Sequence, residues 1–202
     1  MKRILVLAAA TLLVSGCTGS TSPEATVTTP TDPPPTAASS PTPNAGGEFV
    51  LTSPDFADGD ELADWTTASA FGGQCAGENL NPAFEWSGAP EGTAAFAITM
   101  LDGSAGNFIH WLHGDIPGDV TGIERGGSAE LPGFVGRNQG IGTGYFGPCP
   151  PGPDHRYEFT LYALDTPLGL TDGAGFADFK GAAEGHVLGT ASITGTRSGP
   201  AS

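Results

Sequence analysis

From Glu48 onward, glycine and proline break every apolar run before it grows long. That punctuation leaves room for short strands and little helix. The clearest strand is Arg156 to Leu164, where Tyr157, Phe159, Leu161 and Ala163 share one face and Glu158 and Thr160 the other. Ala94 to Leu101 is apolar on both faces, as in a strand buried within a sandwich. Glu48 to Thr52 reads as a first strand stopped by Pro54, and Phe84-Glu85-Trp86 as a short strand before the Gly88-Ala89-Pro90 turn. Phe108 to Asp115 reads as another, ending at Ile116-Pro117, and His186 to Thr194 as the last. Phe176 to Glu184 reads as a short helix with Gly185 as its stop. No internal repeat is present, and the expected class is a mainly β sandwich.

The chain ahead of Glu48 has a different character. Lys2 and Arg3 precede an apolar run from Ile4 to Val14, followed by Ser15, Gly16 and Cys17. A charged start, a short apolar stretch and small residues before a cut make a secretory signal over residues 1–16. The run is shorter than the ~20 apolar residues a spanning helix needs. Val14-Ser15-Gly16-Cys17 resembles the lipobox of bacterial lipoproteins, which implies a lipid on Cys17; plain secretion with a free Cys17 is the alternative. Thr18 to Gly47 is Thr, Ser, Pro, Ala and Gly almost throughout and cannot bury enough surface to offset its chain entropy. Residues 17–47 therefore read as a lipidated cysteine and a disordered tether, with a reach of ~30 Å as a coil and ~90 Å fully extended. Residues 48–202 read as one domain. The expected location is the outer face of a bacterial cell membrane, with lipid as the sole membrane contact.

The formal charge is −15, and loss of Lys2 and Arg3 takes it to −17. Such acidity argues against nucleic acid and against direct adhesion to anionic headgroups. With Cys17 set aside, Cys75 and Cys149 remain. An even remainder in an oxidising compartment points to a disulfide, and two separate buried thiols are the alternative.

Four histidines carry the candidate chemistry. Period two puts His110 on an apolar face with Phe108 and Leu112, and His155 on one with Tyr157 and Phe159. A lone histidine there is usually a hydrogen-bonded core residue, but two beside Gly/Pro-rich loops favour a lined pocket. His113 alternates to the opposite face and reads as a surface residue. His186 starts a strand and reads as a packing or capping residue. Asp102 ends a buried strand and can orient or charge a histidine. No nucleophile elbow, zincin motif, phosphate-cradling loop or zinc-ligand spacing occurs. No metal, cofactor or enzymatic activity is expected.

Several ordered segments carry a resemblance. Asn81-Pro82-Ala83-Phe84-Glu85-Trp86-Ser87-Gly88-Ala89-Pro90 resembles an "SPxLxWSGAP" segment; His110-Trp111 with Ile116-Pro117 resembles an "HW…IP" strand. Gly144 to Pro151, then His155-Arg156-Tyr157, resembles "GYxGPCPP…HRY". Thr171 to Ala174 and Gly185 to Leu188 extend the match towards the C-terminus. Together they resemble the phosphatidylethanolamine-binding protein family, which includes bacterial Raf kinase inhibitor-like proteins, over about Phe49 to Arg197. The resemblance implies a large antiparallel sheet packed on a smaller one, with a few short peripheral helices. It also implies a small-anion pocket, for phosphate, acetate or a phosphoethanolamine head, lined by Asp102, His110, Gly147, His155 and Tyr157. Trp86 and Tyr157 are expected to wall the site, and backbone N–H groups near Gly147 to donate to the anion.

The chain departs from that pattern at Asp102-Gly103-Ser104-Ala105, where relatives have Asp-Pro-Asp-Ala-Pro. The second acid is replaced by Ser104 or lost, and Ser104 is a candidate donor. Thr196 stands where relatives often carry tyrosine. Three functions compete: a module that binds a small anion or phosphorylated headgroup, an inhibitor or partner of an envelope or extracellular protein such as a protease, and a hydrolase with a histidine base. The first ranks highest, and the last ranks lowest for want of an activated nucleophile.

Overall fold

The computed structural model describes residues 47–70, 75–140 and 142–199. The expectations for the signal segment, Cys17 and the tether up to Gly46 fall outside these residues. Among the described residues, ten strands and one α-helix follow in chain order. The strands are β1 Val50–Thr52, β2 Ser69–Ala70, β3 Cys75–Ala76, β4 Phe84–Ser87, β5 Ala95–Asp102, β6 Phe108–Pro117, β7 Gly122–Ile123, β8 Phe134–Val135, β9 His155–Leu164 and β10 Val187–Arg197. The helix, α1, is Phe176–Ala183, and 3-10 turns occupy Asp64–Thr66, Gly103–Ala105 and Gly127–Ala129.

The large sheet has the order β10-β9-β5-β6-β8, a smaller one β1-β4-β7, and β2 pairs with β3. All pairings between these strands are antiparallel. The two-residue strands β2, β3, β7 and β8 are too short for any pattern to announce them. The long strands follow from their side chains. Tyr157, Phe159, Leu161 and Ala163 of β9 all enter one buried cluster with Leu51, Phe84 and Trp86 of the smaller sheet. That cluster is the sandwich core.

The two apolar faces of β5 have separate partners. Phe96, Ile98 and Met100 join the sandwich core, while Ala95 and Ala97 pack in a second cluster with Leu112, Phe134, Phe179 and Ala183. Helix α1 supplies Phe179 and Ala183 and so covers one face of the large sheet. Asp178 Oδ2 accepts the Gly175 N–H at 2.9 Å at the start of α1, and Gly185, at φ 81°, ends it as expected. The resemblance implied a few helices; among the described residues α1 is the single α-helix, and 3-10 turns stand in for the rest.

Strand β6 breaks the simple alternation. Met100 pairs with Trp111 but Leu101 pairs with Ile109, so His110 is the extra residue of a β-bulge. A second irregularity sits between Ile98, paired with His113, and Phe96, paired with Ile116. Asp115 within it has φ 57°, and its carboxylate accepts the N–H groups of Leu168 at 2.6 Å and Gly169 at 2.9 Å. The bulges overturn two expectations. Leu112 packs in the helix-side cluster, not with His110. His113 is fully buried at 0% exposure, not a surface residue.

Candidate functional site

Strands β5, β6 and β9 meet at one end of the large sheet, where register sets Asp102 against both Phe108 and Tyr157. Asp102 Oδ1 accepts the backbone N–H groups of Ser104 at 2.9 Å and Ala105 at 3.1 Å, capping the 3-10 turn. Those bonds fix the carboxylate. Its Oδ2 accepts a hydrogen bond from His155 Nδ1 at 2.6 Å and lies 4.0 Å from His110 Nε2. The Asp102 and His110 side chains are 4% and 5% exposed, whereas His155 is 18% exposed and opens the cluster to solvent.

His110 is held from the other side. Its Nδ1–H donates to the Phe146 carbonyl at 2.7 Å, which assigns the neutral tautomer and leaves Nε2 bare towards Asp102. The ring stacks on Phe146 at 5.5 Å and meets the Tyr157 ring edge-on at 5.1 Å. Burial pushes the His110 imidazole below its ordinary range, against the opposing pull of the Phe146 carbonyl and Asp102. Burial, with the Asp102 charge adding to it, raises the Tyr157 phenol and keeps it protonated. Its hydroxyl lies buried near that carboxylate, with no hydrogen bond of normal geometry.

Gly147 contributes differently from expectation. A Cβ there would lie 1.9 Å from the Thr66 carbonyl oxygen, so only glycine lets the 145–149 loop lie against Thr66–Ala68. Its N–H donates to Asn79 Oδ1 at 2.8 Å and is not free for a ligand. Asn79 Nδ2 in turn donates to the Tyr145 carbonyl at 3.1 Å. The loop is tied further by the Cys75–Cys149 disulfide, with 5.7 Å between Cα atoms. Tyr145, also on the loop, packs edge-on against Trp111 at 5.7 Å.

The structure thus brings Asp102, His110, His155 and Tyr157 together, with Gly147 in the supporting rim. Trp86 does not join them. It packs on Phe96 at 5.3 Å, six residues before Asp102 on β5, which is ~20 Å along a strand. Ser104 is also turned elsewhere: its Oγ accepts the Arg156 N–H at 3.0 Å, and it lines a separate trough of about 340 Å³ with Leu101, Arg156 and Glu158. Sequence reasoning missed Asn79 and the Phe146 carbonyl. Asn79 had one signal, an asparagine in a loop, since asparagine tolerates the left-handed φ of 58° seen here. A backbone carbonyl leaves no signal at all.

A family profile described as phosphatidylethanolamine-binding protein matches residues 52–198. The chain belongs to the phosphatidylethanolamine-binding protein family. Among relatives, a protein of Methanothermobacter thermautotrophicus is 44% identical over 127 residues, covering 60% of this chain and 84% of that protein. LppC of Mycobacterium tuberculosis, named as a candidate lipoprotein, is 34% identical over 172 residues, covering 80% of this chain and 78% of its own. The crystal structure of Escherichia coli YbcL, described as a new member of the mammalian family, superposes with a TM-score of 0.70 at 30% identity. It covers 75% of this chain and 99% of YbcL. In this member of the phosphatidylethanolamine-binding protein family, the matched region contains every residue of the cluster.

Proposed function

We propose that this family member is a surface-tethered binding module whose Asp102–His110–His155 cluster holds a small oxyanion, either phosphate or a phosphorylated headgroup. The observation that carries the reading is the pair of imidazoles. Each has its Nδ1 committed to a fixed acceptor, and one carboxylate oxygen backs both rings: Asp102 Oδ2 takes the His155 Nδ1–H at 2.6 Å and lies 4.0 Å from His110 Nε2. A protonated imidazole there is a charge-assisted donor to an anion. Export and a lipid on Cys17 belong to the same proposal, supported by the similarity to LppC and by the Cys75–Cys149 bond.

Calorimetric titration with phosphate at pH 6 tests it. One hydrogen bond to a charged group contributes ~1.5–3 kcal/mol, so His155→Ala and His110→Ala should each weaken binding ~10-fold or more. Equal affinity in the wild type and both variants would place any anion site elsewhere and return these histidines to the core.

A further inference from the structure

We infer that the cluster selects oxyanions that carry an acidic proton, phosphate and phosphomonoesters, over those that have none at neutral pH, sulfate and phosphodiesters. The inference rests on reading the cluster as an oxyanion site, and it follows from a count of donors around it. From β5 comes the Asp102 carboxylate, an acceptor on both oxygens. From β6 comes His110, whose one N–H in the neutral ring is given to the Phe146 carbonyl. From β9 come His155, whose Nδ1–H is given to Asp102, and Tyr157. From β10, Arg197 stands opposite His155 in register, but its guanidinium is turned onto the Leu62 carbonyl, Glu61 and Asp64.

The backbone donors are committed as well. Gly147 N–H goes to Asn79, Phe146 N–H to the His110 carbonyl, and Ser104 and Ala105 N–H to Asp102. Pro148 has none. With His110 neutral, the side-chain donor left in the cluster among the described residues is the Tyr157 hydroxyl, itself buried beside the Asp102 carboxylate. An arriving anion otherwise meets the His110 Nε2 lone pair and a carboxylate, both repulsive to it.

A ligand escapes that repulsion by bringing a proton. A phosphomonoester monoanion offers P–OH to His110 Nε2 or to Asp102 Oδ2. Sulfate and a phosphodiester have no such proton and wait for an imidazole to take one from solvent. Burial of His110 makes that uptake harder. The site is therefore an acceptor-lined proton reader, and the headgroup of an intact phospholipid, itself a phosphodiester, falls on its disfavoured side.

The test titrates wild-type protein with methyl phosphate, dimethyl phosphate, inorganic phosphate and sulfate between pH 5.5 and pH 8. The proton-dependent hydrogen bond is of the charge-assisted kind. At pH 7, methyl phosphate should bind ~10-fold or more tighter than dimethyl phosphate, and phosphate tighter than sulfate by a similar factor. Sulfate affinity should climb as pH falls. Asp102→Asn, which can still accept the turn N–H groups and adds an amide donor, should narrow the gap by strengthening sulfate. Equal binding of phosphate and sulfate by the wild type at pH 7, or pH-independent sulfate binding, overturns the inference and leaves the oxyanion site standing. If none of the four binds at any pH, the oxyanion reading itself fails. Dimethyl phosphate matching methyl phosphate would instead assign the site to phospholipid headgroups.

Discussion

Burial holds both His110 and His113 below the ordinary imidazole range. In the unfolded chain each takes its proton near pH ~6.5. Below that value the unfolded chain binds more protons than the folded one, so stability falls as pH drops through the window between the two. The urea midpoint should therefore be lower at pH 5.5 than at pH 7.5. His113 bonds the Pro132 carbonyl through Nε2 at 3.1 Å and leaves Nδ1 buried without a partner among the described residues. His113→Gln keeps a donor and cannot charge, so it should shrink that acid-induced drop while leaving phosphate affinity unchanged. At the rim, Gly147→Ala forces a methyl into the Thr66 carbonyl. Overpacking of this kind costs ~1–3 kcal/mol. Because the displaced loop carries the carbonyl that orients His110, the variant should also bind phosphate more weakly, measured by calorimetry beside its melting curve.

At the level of elements, β9 was legible because its side chains alternate, and β5 because it is apolar on both faces. Tyr157 to Ala163 on β9 is the plainest case, and it placed His155 and Tyr157 correctly on one face. The same rule failed on β6. An inserted residue leaves no mark on composition, so parity carried Leu112 to the wrong face and His113 to the surface. His110 reached the cluster because the bulge aims it there. Trp86 was misplaced for another reason: a tryptophan's large apolar area announces burial, but not which end of a sandwich it is buried in. Helix α1 offers a direct check on the layer it builds. Phe179 is buried against Tyr162, with 5.2 Å between ring centroids. Phe179→Ala should cost ~3–5 kcal/mol in chemical denaturation. Phosphate affinity should stay unchanged, because the helix covers the face of the large sheet away from Asp102.

For the whole molecule, one disulfide and the proposed lipid anchor set the frame. The Cys75–Cys149 bond spans 74 residues and stabilises by up to ~4 kcal/mol in the chain-entropy model. Cys75→Ala with Cys149→Ala should lower the melting temperature and loosen the loop that carries Phe146, weakening phosphate binding with it. Cys17→Ser should move the protein from the membrane to the soluble fraction after a salt wash, since lipid is the anchor proposed for a chain of net charge −15. The cluster itself is stitched from distant parts of the chain. Asp102 and His155 are 53 residues apart, and Asn79 and Gly147 are 68 apart. Neither contact can form until the central strands have met, because the entropy of closing such loops is recovered only by the sheet. On the proposed oxyanion reading, ligand capture is thus a late event on the folding pathway, and phosphate binding would report that the chain has reached its native topology.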